Sequence, residues 1–176
     1  MDNEDAYLVT LLKQESAEGF RITSLTYGPA IYSLALLLTG NPEDSREVTS
    51  DALMQVFRNI DSFNPDKGSL KSWILKIARN CSVTALRRRK RKPLMTELTE
   101  NISEEASDAG PDESEMIKAA IAGCSADEQQ LIHLYYYDDL PLAEIAEIMG
   151  VRAATLAVRL QRLRNKIKRI ILNNGR

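Results

Sequence analysis

The 176 residues suffice for one ordinary domain or two small ones, and Leu, Ala, Glu, Ile, Arg and Lys so outnumber the 8 Gly and 6 Pro that compact helical bundles are favoured over sheets. A formal net charge of -2 conceals blocks of opposite sign, and the blocks rather than the sum bear on a polyanionic partner. One His, two Cys outside any Cys-x-x-Cys pair and no glycine-rich phosphate loop argue against a zinc site, a disulfide framework and an enzyme acting on nucleic acid.

The chain opens on acids (Asp2, Glu4, Asp5) without a signal-peptide pattern. Its longest apolar run, Ala30 to Leu38, is expected to be too short and too interrupted to span a bilayer. Tyr7 to Leu12 begins a short amphipathic segment. Phe20, Leu25, Tyr27, Ile31, Leu34, Ala35 and Leu38 then recur at helical spacing. Gly28-Pro29 predicts a break there, with a helix from Pro29 to Thr39 stopped by Gly40-Asn41-Pro42. The next helix is expected from Glu43 to Ile60. Val48, Ala52, Val56 and Ile60 form its apolar face, and Glu43, Asp44 and Glu47 crowd its first turns, where the helix dipole favours acids.

Ser62 to Gly68 is rich in turn residues, and Ser69 is a suitable cap for the helix that follows. That helix carries Leu70, Trp73, Ile74, Ile77, Ala78, Cys81 and Leu86, and runs into six bases, Arg87 to Lys92. A lone Trp on an amphipathic helix is most often core, so Trp73 is read as core. From Lys67 to Lys92 there are ten Lys or Arg and no acid. From Pro93 to Glu115 there are eight acids and no base. Thr96 to Glu115 has no apolar period and reads as a solvated linker.

Met116 to Ala122 opens a second helical half. Ser125 and Glu128 have capping-box spacing before Leu131, Ile132, Leu134 and Tyr135. Tyr135-Tyr136-Tyr137 is expected to pack against the last helix, and Asp138-Asp139 to form a solvated turn. His133 is no ligand set and has no assigned role. A short helix to Met149, a turn at Gly150-Val151 and a long helix from Ala153 to Leu172 complete the chain. Every charge from Arg152 onward is basic.

Leu142 to Leu156 has the pattern of a helix-turn-helix. Ala146 is small where a second helix crosses, and Gly150 permits a left-handed turn. Ile145, Ile148, Val151, Leu156 and Leu160 would lock the two helices together. The second helix could present its N-terminal residues to a major groove. In the first half, a helix with Trp, Lys and Arg between a turn loop and a basic run suits unstacked DNA.

Gly40 to Phe57, and more closely Ser69-Leu70-Lys71-Ser72-Trp73-Ile74-Leu75-Lys76-Ile77-Ala78-Arg79-Asn80, resemble region two of the extracytoplasmic-function (ECF) RNA polymerase sigma factors. The helix-turn-helix resembles region four of the same family. The resemblance implies an all-α fold of two small helical domains joined by a flexible acidic linker: 1–92, with 93–115 as the linker, and 116–176. It implies a promoter-specificity subunit with no catalytic activity, cofactor or metal. Implied partners are core RNA polymerase, through its beta-prime clamp helices and beta flap, promoter DNA, and an anti-sigma factor that can hold the chain at the membrane. The chain itself would be cytoplasmic, with no membrane insertion.

By the same resemblance, Asp44, Glu47, Asp51 and Gln55 would contact the polymerase. Phe63, Asn64 and Lys67 in the loop, with Lys71 and Asn80, would form a pocket for a base flipped from the minus-ten element. Lys76, Arg79, Arg87 and Arg88 would hold phosphates of that strand. Arg152, Thr155, Arg159 and Arg162 would face the minus-thirty-five element. The chain departs from the family where Arg46 replaces an acid and Ser50 a Gln, and where Ala157-Val158 replaces a basic or Ser pair. Readout by the last helix is therefore expected to rest on Arg152, Thr155, Arg159 and DNA shape. The alternatives are a sigma-like regulator that binds partners or DNA without supporting initiation, and a nucleic-acid enzyme. The second lacks any nucleophile–base or metal-spaced set.

Overall fold

The computed structural model describes residues 3–91 and 113–174, all helix and connecting turns with no strand among them. The helices are α1 (Asn3–Lys13), α2 (Ala17–Thr39), α3 (Pro42–Asn59), α4 (Leu70–Arg91), α5 (Glu113–Ala122), α6 (Ala126–Ile132), α7 (Leu142–Met149) and α8 (Ala153–Asn174). Residues 93–112 of the acidic linker and the first two residues of the chain lie outside the described residues, whereas 113–115, read as the end of the linker, form the first turn of α5.

α2, α3 and α4 pack on one another as a bundle, with α1 against α2 and the turn that follows α3. Ile31, Leu34 and Ala35 of α2 meet Val48, Ala52 and Val56 of α3 and Leu70, Ile74, Leu75 and Ala78 of α4, all buried. Tyr27 Oη donates to Asp5 Oδ1 at 2.8 Å, tying α1 to α2. Asn41 starts α3: its Oδ1 accepts from the N–H groups of Glu43 and Asp44 at 2.8 and 3.0 Å, two of the orphan donors of a helix N-terminus.

The break expected at Gly28-Pro29 does not occur; α2 is one continuous helix of 23 residues. Pro29 and Leu25, four residues before it, both face solvent. Water can therefore satisfy the carbonyl that Pro29 cannot bond, and the ring meets no packed neighbour. The unbroken α2 is long and apolar enough, by length and composition, to cross a membrane. This differs from the expectation drawn from its longest apolar run. Its inner face is the core of the first bundle.

In the second half, α6, α7 and α8 enclose Leu131, Leu134, Ile145, Ile148, Leu156, Leu160 and Leu163, with α5 lying along α8. The predicted capping box is present: Ser125 Oγ accepts from Glu128 N, and Glu128 Oε2 accepts from Ser125 N at 2.8 Å. α6 runs on into one π-helical turn, His133–Tyr137. The cysteines are apart and buried, Cys81 in α4 and Cys124 before α6, and burial pushes both thiols up.

The two halves are packed together, α4 against α7 and α2 against α6, and their buried residues form one continuous cluster.

Candidate nucleic-acid interface

Two short 3-10 turns, Ile60–Ser62 and Pro65–Lys67, carry the chain from α3 to α4. Asn64 Oδ1 accepts from Asp66 N at 2.9 Å and so fixes the second turn. Gly68 has φ of 153°, and a Cβ there would stand 3.0 Å from Ser72 Oγ, so a side chain at this point would strain the backbone and push on Ser72 where the loop closes onto α4. Ser69 Oγ accepts from Ser72 N at 3.2 Å, as expected of a cap.

The result is a cleft of about 210 Å³ at the head of α4, lined by Asn64, Lys67, Ser69, Trp73 and Lys76. Phe63 is 6% exposed and packs its ring 5.6 Å from that of Trp73. It therefore supports the cleft from below. Trp73 is only half-buried, joining the core on one side and lining the cleft on the other.

All six of Lys71, Lys76, Arg79, Asn80, Arg87 and Arg88 are on α4; Asn80, Arg87 and Arg88 are exposed, and Lys71, Lys76 and Arg79 are half-buried. Three of them are engaged by the second half of the chain. Lys71 Nζ donates to the Asp138 carbonyl at 2.6 Å and lies 3.2 Å from its Oδ1. Lys76 Nζ lies 3.2 Å from Glu147 Oε2, and Arg79 Nε reaches Gln130 Oε1 at 3.5 Å. At the head of α4, the Glu144 carboxylate accepts from Ser69 N at 3.0 Å and from Ser69 Oγ at 2.5 Å.

Asp138 is 6% exposed, and the expectation of a solvated turn is thus corrected. It ends the π-turn, donating its N–H to the His133 carbonyl, and is held between Lys71 and His133. The Lys71 partner is 67 residues away in sequence. Burial holds the His133 imidazole below its ordinary pKa, with Asp138 pulling it up and Lys71 pushing it down.

Farther along α4, Arg88 Nη2 meets Glu47 Oε1 at 2.6 Å and Arg89 Nη1 meets Asp44 Oδ2 at 3.3 Å. Asp51, Gln55 and Asn80 share a second cleft with Glu47 and Arg88. Residues read as polymerase contacts and residues read as strand contacts are therefore neighbours and partly paired.

The helix-turn-helix is formed by α7 and α8. Gly150 has φ of 68° and donates its N–H to the Ala146 carbonyl, as the turn requires. Ile145, Ile148, Leu156 and Leu160 are buried as expected, and Val151 partly. Arg152, just before α8, and Thr155, Arg159 and Arg162 on it form one exposed stripe. Ala157 and Val158 are exposed beside it.

Sequence reasoning missed an apolar groove of about 490 Å³ where α5, the π-turn and the end of α8 meet, lined by Ile117, Ile121, Ile132, Leu160, Leu163 and Ile167, with Tyr136 and Tyr137 at its rim. The signal available was Ile117 and Ile121 one turn apart. Tyr135 and Tyr136 do meet α8, through Arg164, whose Nε donates to Tyr136 Oη at 2.8 Å. Tyr137, expected to pack on that helix, is 73% exposed.

The sigma-70 region 2 family model matches residues 25–92, and the sigma-70 region 4 model matches residues 114–167. The chain is 27% identical over 164 residues to the ECF RNA polymerase sigma factor SigK of Mycolicibacterium vanbaalenii, covering 88% of this chain and 82% of that one. It is 24% identical over 157 residues to the ECF RNA polymerase sigma factor SigW of Bacillus subtilis, covering 81% and 83%. Two solved structures share the fold. The sigma factor RpoE of Bartonella quintana, in complex with the anti-sigma factor NepR, gives a TM-score of 0.66 at 23% identity, covering 88% of this chain and 98% of that one. CnrH, in complex with the cytosolic domain of CnrY, gives 0.67 at 17% identity, covering 95% and 96%.

Proposed function

The chain belongs to the ECF sigma factors of the sigma-70 family, and from that premise we propose how its residues lend promoter recognition to RNA polymerase. Residues 1–92 form the unit that binds the clamp helices of the beta-prime subunit and holds the minus-ten strand. Residues 116–176 form the unit that reads the minus-thirty-five element, and 93–115 connect them. The chain contributes recognition and leaves the chemistry to the polymerase.

On the first unit, Asp44, Glu47, Asp51 and Gln55 meet the clamp helices. The cleft at the head of α4 takes a base turned out of the non-template strand, with Asn64 and Lys67 around it and Trp73, backed by Phe63, as its wall, while Lys71 lies outside it against the Asp138 turn. Unstacking a base costs a few kcal/mol, which the cleft and the backbone contacts must offset. Lys76, Arg79, Arg87 and Arg88 follow the phosphates, with Asn80 beside them. On the second unit, Arg152, Thr155, Arg159 and Arg162 face the major groove and its flanking phosphates. The observation that supports this most is the pairing, on one chain, of an aromatic-walled cleft beside cations with an exposed basic stripe on a helix-turn-helix.

The apolar groove between α5 and α8 suits an amphipathic helix from a partner, namely the beta flap or an anti-sigma factor. The chain acts in the cytoplasm, where the polymerase is. Reconstitution with core polymerase, selection of bound DNA from a random pool and run-off transcription from the selected sequence test the whole reading. Promoter-dependent transcripts are expected, and their absence with intact core binding would favour a regulator that does not initiate. Exposed Val158, which offers no hydrogen bond to a base edge, is the observation on that side.

A further inference from the structure

Among the described residues, Val158 is the large apolar side chain that α8 leaves exposed, at 51%. A lone exposed aliphatic is ordinary on a protein surface, but its place on this helix is not. It stands two residues, about 200° round the helix axis, from each of the buried Leu156 and Leu160. It therefore points directly away from the core of the second half. Ala154, one turn before it, and Gln161, one turn after, are exposed on the same line. Thr155, Arg159 and Arg162 run along one side of that line, and every charge from Arg152 onward is basic.

Folding gives no reason for a valine there. A β-branched residue is a poorer helix former than Ala, Arg or Gln. What it offers a partner is a pair of methyl groups held in one strongly preferred rotamer, so contact costs little side-chain entropy. The cations beside it call for a polyanion, and the valine calls for an apolar group within that polyanion. Duplex DNA supplies both: phosphates border the major groove, and thymine places its C5 methyl inside it. The first turns of a recognition helix are the ones that reach base edges, and Val158 lies in the second turn of α8. Ala154 and Ala157 beside it are exposed and short, so neither holds the valine off the groove floor.

We propose that Val158 selects thymine in the minus-thirty-five element, by packing its methyl groups on the thymine C5 methyl in the major groove. The proposal rests on the helix-turn-helix reading given above and names what that helix recognises. A side chain with no hydrogen-bonding group is then a reader of the sequence. Cytosine at the same place would turn its N4 amino group toward an apolar surface and leave that donor unpaired. Uracil would offer no methyl to pack on.

The experiment uses the full chain reconstituted with core polymerase and the upstream duplex element it selects from a random pool. Deoxyuridine replaces each thymine in turn on either strand; it keeps every hydrogen-bonding group and lacks the methyl. In competition binding the wild type should lose about fourfold in affinity at one or two positions. Val158→Ala should bind the thymine and uracil duplexes equally. Val158→Thr, which keeps one of the two methyls, should retain part of the preference. The position is exposed, so both variants should melt with the parent. A selected element without thymine, or a wild type indifferent to every replacement, would overturn the methyl contact even where Arg159→Ala still weakens binding. A preference that survives in Val158→Ala would give the methyl to another residue and overturn it too. Binding indifferent to Arg159→Ala as well as to every thymine would defeat the helix-turn-helix reading, and this proposal with it.

Discussion

Arg88 on α4 and Glu47 on α3 share a 2.6 Å contact, so a residue assigned to the promoter strand and one assigned to the polymerase clamp are each other's partner in the free chain. Both side chains are about half-exposed, and solvent screening leaves such a pair little weight in folding. Glu47→Lys should therefore leave the urea midpoint nearly unchanged while weakening capture of core polymerase in a pull-down. A large loss of stability would mean that the pair is structural.

Reversing charge at Arg87 and Arg88 should reduce the salt dependence of promoter-complex formation. Each lost phosphate contact lowers the slope of log affinity against log salt by about 0.7 on a single strand or 0.9 on duplex. Titration of the reconstituted polymerase on a melted-bubble template measures it. An unchanged slope would remove both residues from the strand path.

Gly150→Val should destabilise the chain by roughly 1–3 kcal/mol, because a branched residue at φ of 68° is strained. A Cβ there meets nothing within 4 Å, so the cost is in the backbone rather than in a clash. Gly150→Asn, which tolerates the left-handed region better, should recover much of it. Thermal melting of the three full-length chains decides the order.

Stability should fall as the solution is acidified below about pH 6.5, the ordinary imidazole value. Folding holds the His133 pKa down, so the unfolded chain binds the proton more readily. The contribution is fully present above the unfolded pKa and is lost as pH drops toward the folded one. The groups facing the ring are Asp138, Lys71 and Tyr137. His133→Gln should flatten the stability–pH curve in this window, as read by urea midpoints across the range.

Tyr137→Ala should leave folding within about 0.5 kcal/mol of the parent, since the ring is largely in solvent. If the groove between α5 and α8 receives a helix of the beta flap, the same change should weaken binding of the flap segment, measured by calorimetry.

Much of this molecule was readable from residue spacing. Capping at Ser69 and Ser125, the turn at Gly150, the buried faces of α3 and α8 and the exposed stripe from Arg152 to Arg162 all follow from local rules. What escaped is non-local. Pro29 reads as a breaker until its face is known to be wet. Asp138 reads as a turn acid until Lys71, far off in sequence, is placed against it. The seam from Ser69 to Arg79 is invisible to periodicity, because Glu144 and Glu147 sit on the polar side of their own helix and look solvated there. The exposed groove beside Tyr137 depends on a π-turn that shifts the tyrosines out of ordinary helical phase.

Cys81 and Cys124 are enclosed and hold their protons more tightly than a free thiol, so neither offers the thiolate that maleimides and alkylating agents attack. Probes can therefore be attached at introduced surface positions without first stripping out the native sulfurs, and label stoichiometry in the folded protein becomes a direct count of the added sites.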